Sequence, residues 1–260
     1  METVETLGIS QRVSVSEGRL TGSNYLPTCS GCIAREIGAC AGFSPNRAAG
    51  RHRVTAGDVV STGQYFPARR PIVHQREVAD IVPVICTGWA ASAIVAPSGK
   101  RRILSILLAG EIASVNFVFE SCSGRAIEAV SEVYCRKFNR REFQAALRKH
   151  PDGNTLLSKL LAKEREASDQ MHLDLARRSA EARIARLILH LSARAQGRGE
   201  STAEAFAFPL RQQHIADATG LTTVHVCKIL TRLRAEKCVS IANRQMRILD
   251  RRVLHEIADQ

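Results

Sequence analysis

Between Leu210 and Leu249 the chain carries a helix, a glycine turn, a second helix and a short hairpin, and few folds accept that order. The first helix is expected over Leu210 to Thr219. Ala216 stands four residues before Gly220, small enough to let two helices approach closely. Gly220 supplies the positive φ that Gly220-Leu221-Thr222 needs to turn. The second helix is expected over Thr223 to Lys237, with Leu221, Val226, Ile229 and Leu233 as its buried stripe. Val239-Ser240-Ile241 and Met246-Arg247-Ile248-Leu249, flanking Asn243-Arg244-Gln245, then form a hairpin. This order is that of a winged helix-turn-helix, which places its second helix in the major groove of double-stranded DNA.

The DNA-facing residues follow from what the stripe leaves out. Thr222 or Thr223 can cap the second helix and present its amides to a phosphate. Val224, His225, Cys227 and Lys228 occupy the first exposed positions, where Lys228 can reach guanine O6 or N7. Arg232 and Arg234, further along, suit phosphates. The net charge of +12 agrees with a polyanionic partner, but it is not gathered in this segment: residues 177–260 hold 15 Lys and Arg against 8 Asp and Glu, and residues 1–150 hold 19 against 12.

The rest of the 260-residue chain divides by texture. Residues 1–50 are irregular and hold three clustered cysteines. Residues 51–150 alternate short β-branched runs with glycines at 57, 63, 88, 99 and 110, which reads as a β roll. Its last strand is expected over Ala126 to Lys137, where Ile127, Ala129, Ser131, Val133 and Cys135 share one face, so Cys135 should point inward. Residues 151–196 turn helical for some forty residues. Leu157, Leu161, Glu164, Ser168, Met171 and Leu175 follow a 4-3-4-3-4 spacing, the seam of a dimerisation helix, with Glu164 and Ser168 as its polar interruptions. Residues 197–260 open on the linker Gly197-Arg198-Gly199-Glu200-Ser201-Thr202 and carry the DNA-reading unit. The fold class expected is therefore α+β: a jelly-roll-like β domain, a long dimer helix and a winged helix-turn-helix.

Neither a secretory signal nor a transit peptide is legible at the acidic start, Met-Glu-Thr-Val-Glu-Thr-Leu-Gly. The uncharged run Ile81 to Gly99 is broken by Pro83, Gly88 and Pro97, which suits two buried strands better than a membrane span. A cytoplasmic setting, with no membrane partner, is the expectation. Thiols stay reduced there, so eight cysteines must be weighed singly. HExxH, Walker, GxSxG and Ser-His-Asp patterns are all missing, so a metal-dependent or other enzyme is not expected.

The β roll, the long helix and the run from Gln213 to Leu233 together resemble the CRP/FNR superfamily of bacterial transcription regulators. The likeness covers roughly residues 29–253 and includes Ser179-Ala180-Glu181-Ala182-Arg183-Ile184-Ala185 before the DNA-reading domain. Cys29-Ser30-Gly31-Cys32, with Cys40 after seven more residues, resembles the N-terminal motif of the FNR branch. That resemblance implies a homodimer that senses oxygen or nitric oxide through a labile [4Fe–4S] cluster, with RNA polymerase as a further partner. It also implies a distant fourth ligand at the end of the roll's last strand, which makes the expected set Cys29, Cys32, Cys40 and Cys135. The chemistry agrees, since a cubane needs four convergent thiolates.

Rival readings remain beside it. Cys122, in a probable loop, competes for the fourth position, while Cys86 and Cys238 read as packing residues. Structural zinc, a disulfide switch, and a cluster-free constitutive dimer are the other ways to use these thiols. Cyclic nucleotide is the other familiar ligand of the fold. Gly110-Glu111 and Arg125-Ala126 are only distantly similar to its glutamate and Arg-Ser pair, and the serine is missing. On the recognition helix, Val224-His225-Val226-Cys227-Lys228 is closer to Val-His-Val-Asn-Arg than to the FNR-type Glu-x-x-Ser-Arg. Lys228 cannot make the planar bidentate contact of Arg, so the operator's bases are left open, though its twofold symmetry is expected.

Overall fold

A computed structural model describes residues 29, 31–40, 52–56, 58–197 and 205–260. After a single helical turn, α1 (Ile33–Glu36), come six strands: β1 (His52–Ala56), β2 (Val59–Phe66), β3 (Pro71–Val73), β4 (Ile81–Thr87), β5 (Ala90–Val95) and β6 (Arg101–Leu107). The turn α2 (Asn116–Phe119) leads to β7 (Ala126–Ala129) and β8 (Val133–Asn139). These strands build two antiparallel sheets, ordered β1-β2-β8-β4 and β3-β7-β5-β6. Phe66, Val73, Ile85, Leu107, Phe117, Ile127, Val133 and Cys135 fill the space between them. The β roll is thus present.

Both sheets are also covered on their outer faces, which is why the strands read as apolar runs and not as clean alternation. Val59, Val82, Val84 and Phe138 face outward from the first sheet. They are covered by Ile33 and Ile37 of the N-terminal segment and by Phe143 and Leu147 of α3 (Arg140–Lys149). The expected single strand from Ala126 to Lys137 is in fact two. β7 belongs to the second sheet and β8 to the first, and the chain crosses between them where Val130 and Ser131 donate backbone hydrogen bonds to Trp89 O (2.8 and 3.1 Å). The link preserves parity, so Ile127, Ala129, Val133 and Cys135 all still point inward.

The expected long helix is likewise broken. α4 (Gly153–Arg177) ends at Arg178, and α5 (Ala180–Gln196) starts afresh with Ser179 as its cap, Oγ accepting from Ala182 N at 3.1 Å. Ser and Thr at such a position satisfy an amide that the first turn leaves unpaired. Asp174 fastens the joint, since it pairs with both Arg178 and Arg186. α5 packs Ile184, Ile188 and Leu191 into a core that runs from Ile103 and Ile106 of β6 to the C-terminal domain.

That domain comprises β9 (Ala205–Ala207), α6 (Gln212–Thr219), α7 (Thr223–Ala235), β10 (Val239–Ala242), β11 (Gln245–Ile248) and α8 (Arg251–Ala258). Its sheet order is β10-β11-β9. The winged helix-turn-helix is present, with a third strand and a closing helix that local pattern did not announce. α8 inserts Leu254 and Ala258 into the same core as α5. Part of the expected linker, residues 198–204, lies outside the described residues.

Candidate functional site

The DNA-reading surface is built by short-range geometry. Gly220 closes α6 at φ 70°, and a Cβ there would lie 2.7 Å from Arg102 Nη1 and 3.0 Å from Leu175 Cδ2. The positive φ is what calls for glycine, since the two neighbours are the ends of side chains that can move aside. Thr222 caps α7, its Oγ1 accepting from His225 N at 3.3 Å. Val226, Ile229, Leu230 and Leu233 are buried, which leaves Thr222, Val224, His225, Cys227, Lys228 and Arg232 exposed and Thr223 half-buried. Val224 is 61% exposed, so its methyl groups are open to a partner. The wing turns on Asn243 and Arg244, both at positive φ (50° and 58°), as a two-residue hairpin loop requires.

α6 does not float free of the roll. Asp217 pairs with Arg101 of β6 (3.3 Å), which also holds Glu128 of β7 (2.6 Å), and Arg183 donates to Thr219 O (3.0 Å). On the exposed side Arg232 is held by Glu181 of α5.

The second site is a pocket of thiols on the outer face of the first sheet. Along β4, Val82, Val84 and Cys86 share that face; along β8, Tyr134, Arg136 and Phe138 share it. The N-terminal segment lies over them, and Cys29, Cys32, Cys40 and Cys86 line one pocket with Ala34, Val84 and Phe138. Cys29 and Cys32 are joined by the turn in which Cys32 N donates to Cys29 O (3.4 Å), and Gly31 adopts φ 72° between them. Arg136 reaches into the pocket, Nη1 to Cys40 Sγ at 2.7 Å. It is 5% exposed, and its Nε finds no hydrogen-bond partner among the described residues. Burial lowers the Arg136 pKa, but Cys40, Cys86 and Tyr134 outweigh that and hold it above the ordinary arginine value. Burial pushes the Cys32 thiol up to about 11.

Cys135 is not in this group. It sits on the opposite face of β8, among Phe66, Ile85 and Ile127, and burial pushes its thiol up to about 12. The inward direction read from its parity is right. That direction puts it on the other side of the sheet from the N-terminal segment, which covers the outer face, so the expected set of Cys29, Cys32, Cys40 and Cys135 is not brought together. Cys122 is exposed on its loop, its thiol against Arg76 O (3.5 Å), and does not line the pocket. Cys86, read from the sequence as packing, is the fourth thiol that the fold brings to the triplet. No three Cys, His, Asp or Glu among the described residues are gathered as tightly as a single metal ion requires. None of the four thiols is tied up in a disulfide, and each iron of a cubane needs only one thiolate, so the donor set suits that group.

The dimer seam also changes. Glu164 turns back onto its own roll, accepting from Val115 N (2.8 Å) and pairing with Arg125 (3.8 Å). Within one chain it fastens α4 to the roll. Leu161 and Leu175 are exposed (45% and 43%), Ser168 is exposed, and Leu157 and Met171 are half-buried. The two residues distantly like a nucleotide site are both engaged: Arg125 by Glu164, and Glu111 by Arg194 of α5 (2.5 Å).

Residues 182–257 match the model of the Crp-like helix-turn-helix domain, and residues 63–150 match that of the cyclic nucleotide-binding domain. The nitrogen fixation regulation protein FixK of Rhizobium meliloti is 31% identical over 189 residues, 72% of this chain and 80% of that protein. The chain belongs to the CRP/FNR family. A probable transcriptional activator of Rhizobium leguminosarum bv. viciae is 29% identical over 217 residues, covering 83% of this chain and 86% of its own. The solved structure of FixK2 from Bradyrhizobium japonicum superposes with a TM-score of 0.67 at 24% identity, over 76% of this chain and 96% of that one, and shows the shared fold. As a CRP/FNR regulator the chain is a DNA-binding protein and not an enzyme, and no helix among its described residues is long and apolar enough to cross a membrane.

Proposed function

We propose that the chain is a cytoplasmic, homodimeric transcription activator whose binding to a twofold-symmetric operator responds to oxygen or nitric oxide through a [4Fe–4S] cluster held by the N-terminal thiols. The observation that carries this reading is the gathering of Cys29, Cys32 and Cys40 over the first sheet beside the buried cation Arg136. Four thiolates around a cubane leave a net negative charge, and a buried guanidinium offsets it. A cluster bound there would supply the chemistry that oxygen or nitric oxide attacks.

The chain's own residues supply the response. β8, which carries Arg136, runs directly into α3 and so towards α4. β4 is hydrogen-bonded to the turn at Gly110-Glu111, and Glu111 holds Arg194 of α5. The N-terminal segment therefore bears on strands that lead to both helices. Activation is supported by the activator name carried by the Rhizobium leguminosarum relative, and RNA polymerase is the partner this reading adds.

The test is purification without air, followed by iron, sulfide and zinc analysis, visible absorption, and operator binding before and after exposure to air. The expected result is a coloured dimer with iron and sulfide that loses operator binding in air. A colourless protein that binds the operator equally in both conditions overturns the reading.

A further inference from the structure

We infer that the fourth ligand of that cluster is Cys86 of β4. This rests on the cluster reading above and adds to it a ligand on a different strand from the one the family resemblance implies. Strand parity carries the argument. Side chains of a strand alternate between faces, so the N-terminal segment can share a site only with residues that face it. On β8 those residues are Tyr134, Arg136 and Phe138, and none is a cysteine. Cys135 lies on the other face, inside a closed apolar core with Phe66, Ile85, Phe117 and Ile127. For it to reach the triplet, β8 would have to slip by one residue between β2 and β4, which would turn Val133 out of the core as well.

Cys86 needs no such change. It faces the N-terminal segment in step with Val82 and Val84, packs with Cys29 and Tyr134, and lines the same pocket as Cys29, Cys32 and Cys40. The ladder is irregular there: between Ile85 and Thr87 two steps of β4 stand against one of β8, and the extra residue is Cys86. Arg136 closes the set from β8, buried, with Nη1 against Cys40 Sγ (2.7 Å) and Nε without a hydrogen-bond partner among the described residues, so a negative group in the pocket would offset its charge.

The full-length protein and its Cys86→Ser and Cys135→Ala variants, each purified without air, are compared by iron and acid-labile sulfide per chain and by visible absorption. Cys135→Ala is expected to keep about four irons per chain, and Cys86→Ser to fall below one, with Cys29→Ser as the matching loss. Cys135→Ala decides the matter even if Cys86→Ser does not fold: a soluble, folded Cys135→Ala protein without iron overturns the inference. So does a Cys86→Ser protein with the wild-type content. Wild type without iron and sulfide would instead bring down the cluster reading itself, and this inference with it. A loss confined to Cys135→Ala would leave the cluster reading intact.

Discussion

α4 and α5 follow one another in the chain, separated by two residues, and are used in opposite ways. α4 has 25 residues and buries only Gly153, while α5 has 17 and buries eight, including Ile184, Ile188 and Leu191. The amphipathic pattern is visible in both, so pattern alone does not say what covers the apolar side. For α5 the cover is internal: the second sheet on one flank and α6, α7 and α8 on the other. For α4 it is partial: Leu156 and Leu160 pack on the roll, but Leu161 and Leu175, fourteen residues apart on one face, both stand exposed. We assign that face to the second copy of the proposed dimer. One helix is then a structural beam and the other an assembly surface, with the joint at Ser179 between them.

The contrast can be broken by substitution. Ile188→Ala should cost about 2–5 kcal/mol of stability, because it empties a fully buried site shared by both domains. A loss under about 1 kcal/mol in denaturant unfolding would show that α5 is no beam. Leu161→Glu should leave the stability of one chain within about 0.5 kcal/mol and weaken self-association by roughly 2 kcal/mol, about thirtyfold. Analytical ultracentrifugation reads this directly, and an unchanged dimer would remove α4 from the interface. Ser179→Ala, at the joint, should cost about 1 kcal/mol through the lost cap, with Ser179→Asp close to wild type.

The smallest effect concerns pH. Burial, and then Arg101 beside it, holds His214 of α6 below its ordinary 6.5, so it stays neutral in the folded domain and accepts from Arg211 N at 3.1 Å. The unfolded chain takes up that proton first as pH falls. This contribution is therefore fully present above about 6.5 and is lost progressively on acidification. His214→Asn should flatten the fall in unfolding midpoint between about pH 7.5 and about pH 5.5, and an equal slope in both proteins would remove His214 as its source.

How far these features were legible follows from how local they are. Gly220, the Thr222 cap and the stripe through Val226, Ile229 and Leu233 lie within a few residues of one another, and short-range sterics dictate them. The expected helix bounds were met within two residues at each end. The parity of Cys135 was equally local and correct. Its neighbours were not legible, because they depend on which face of the first sheet the N-terminal segment covers, and that is fixed by Ile33, Ile37 and Phe143 packing on Val82, Val84 and Phe138 from far along the chain. Glu164 shows the same limit: its spacing fits a seam, while its contact with Val115, 49 residues away, could not be read locally. β9 is only three residues long and takes its register from β11, so nothing in its own sequence marks it.

Arg232 carries one more consequence. Its guanidinium is already neutralised by Glu181 of α5, and Glu236 lies within reach (3.5 Å). A cation paired in the free protein exchanges one partner for another when it meets a phosphate. Glu181 is freed as Arg232 meets the phosphate, and it will draw a cation from solution as the DNA sheds one. Each phosphate contact ordinarily steepens the fall of log affinity with log salt by about 0.9. Arg232 should add less than that, so a count of basic residues on α7 will overstate how steeply this protein leaves its operator as ionic strength rises.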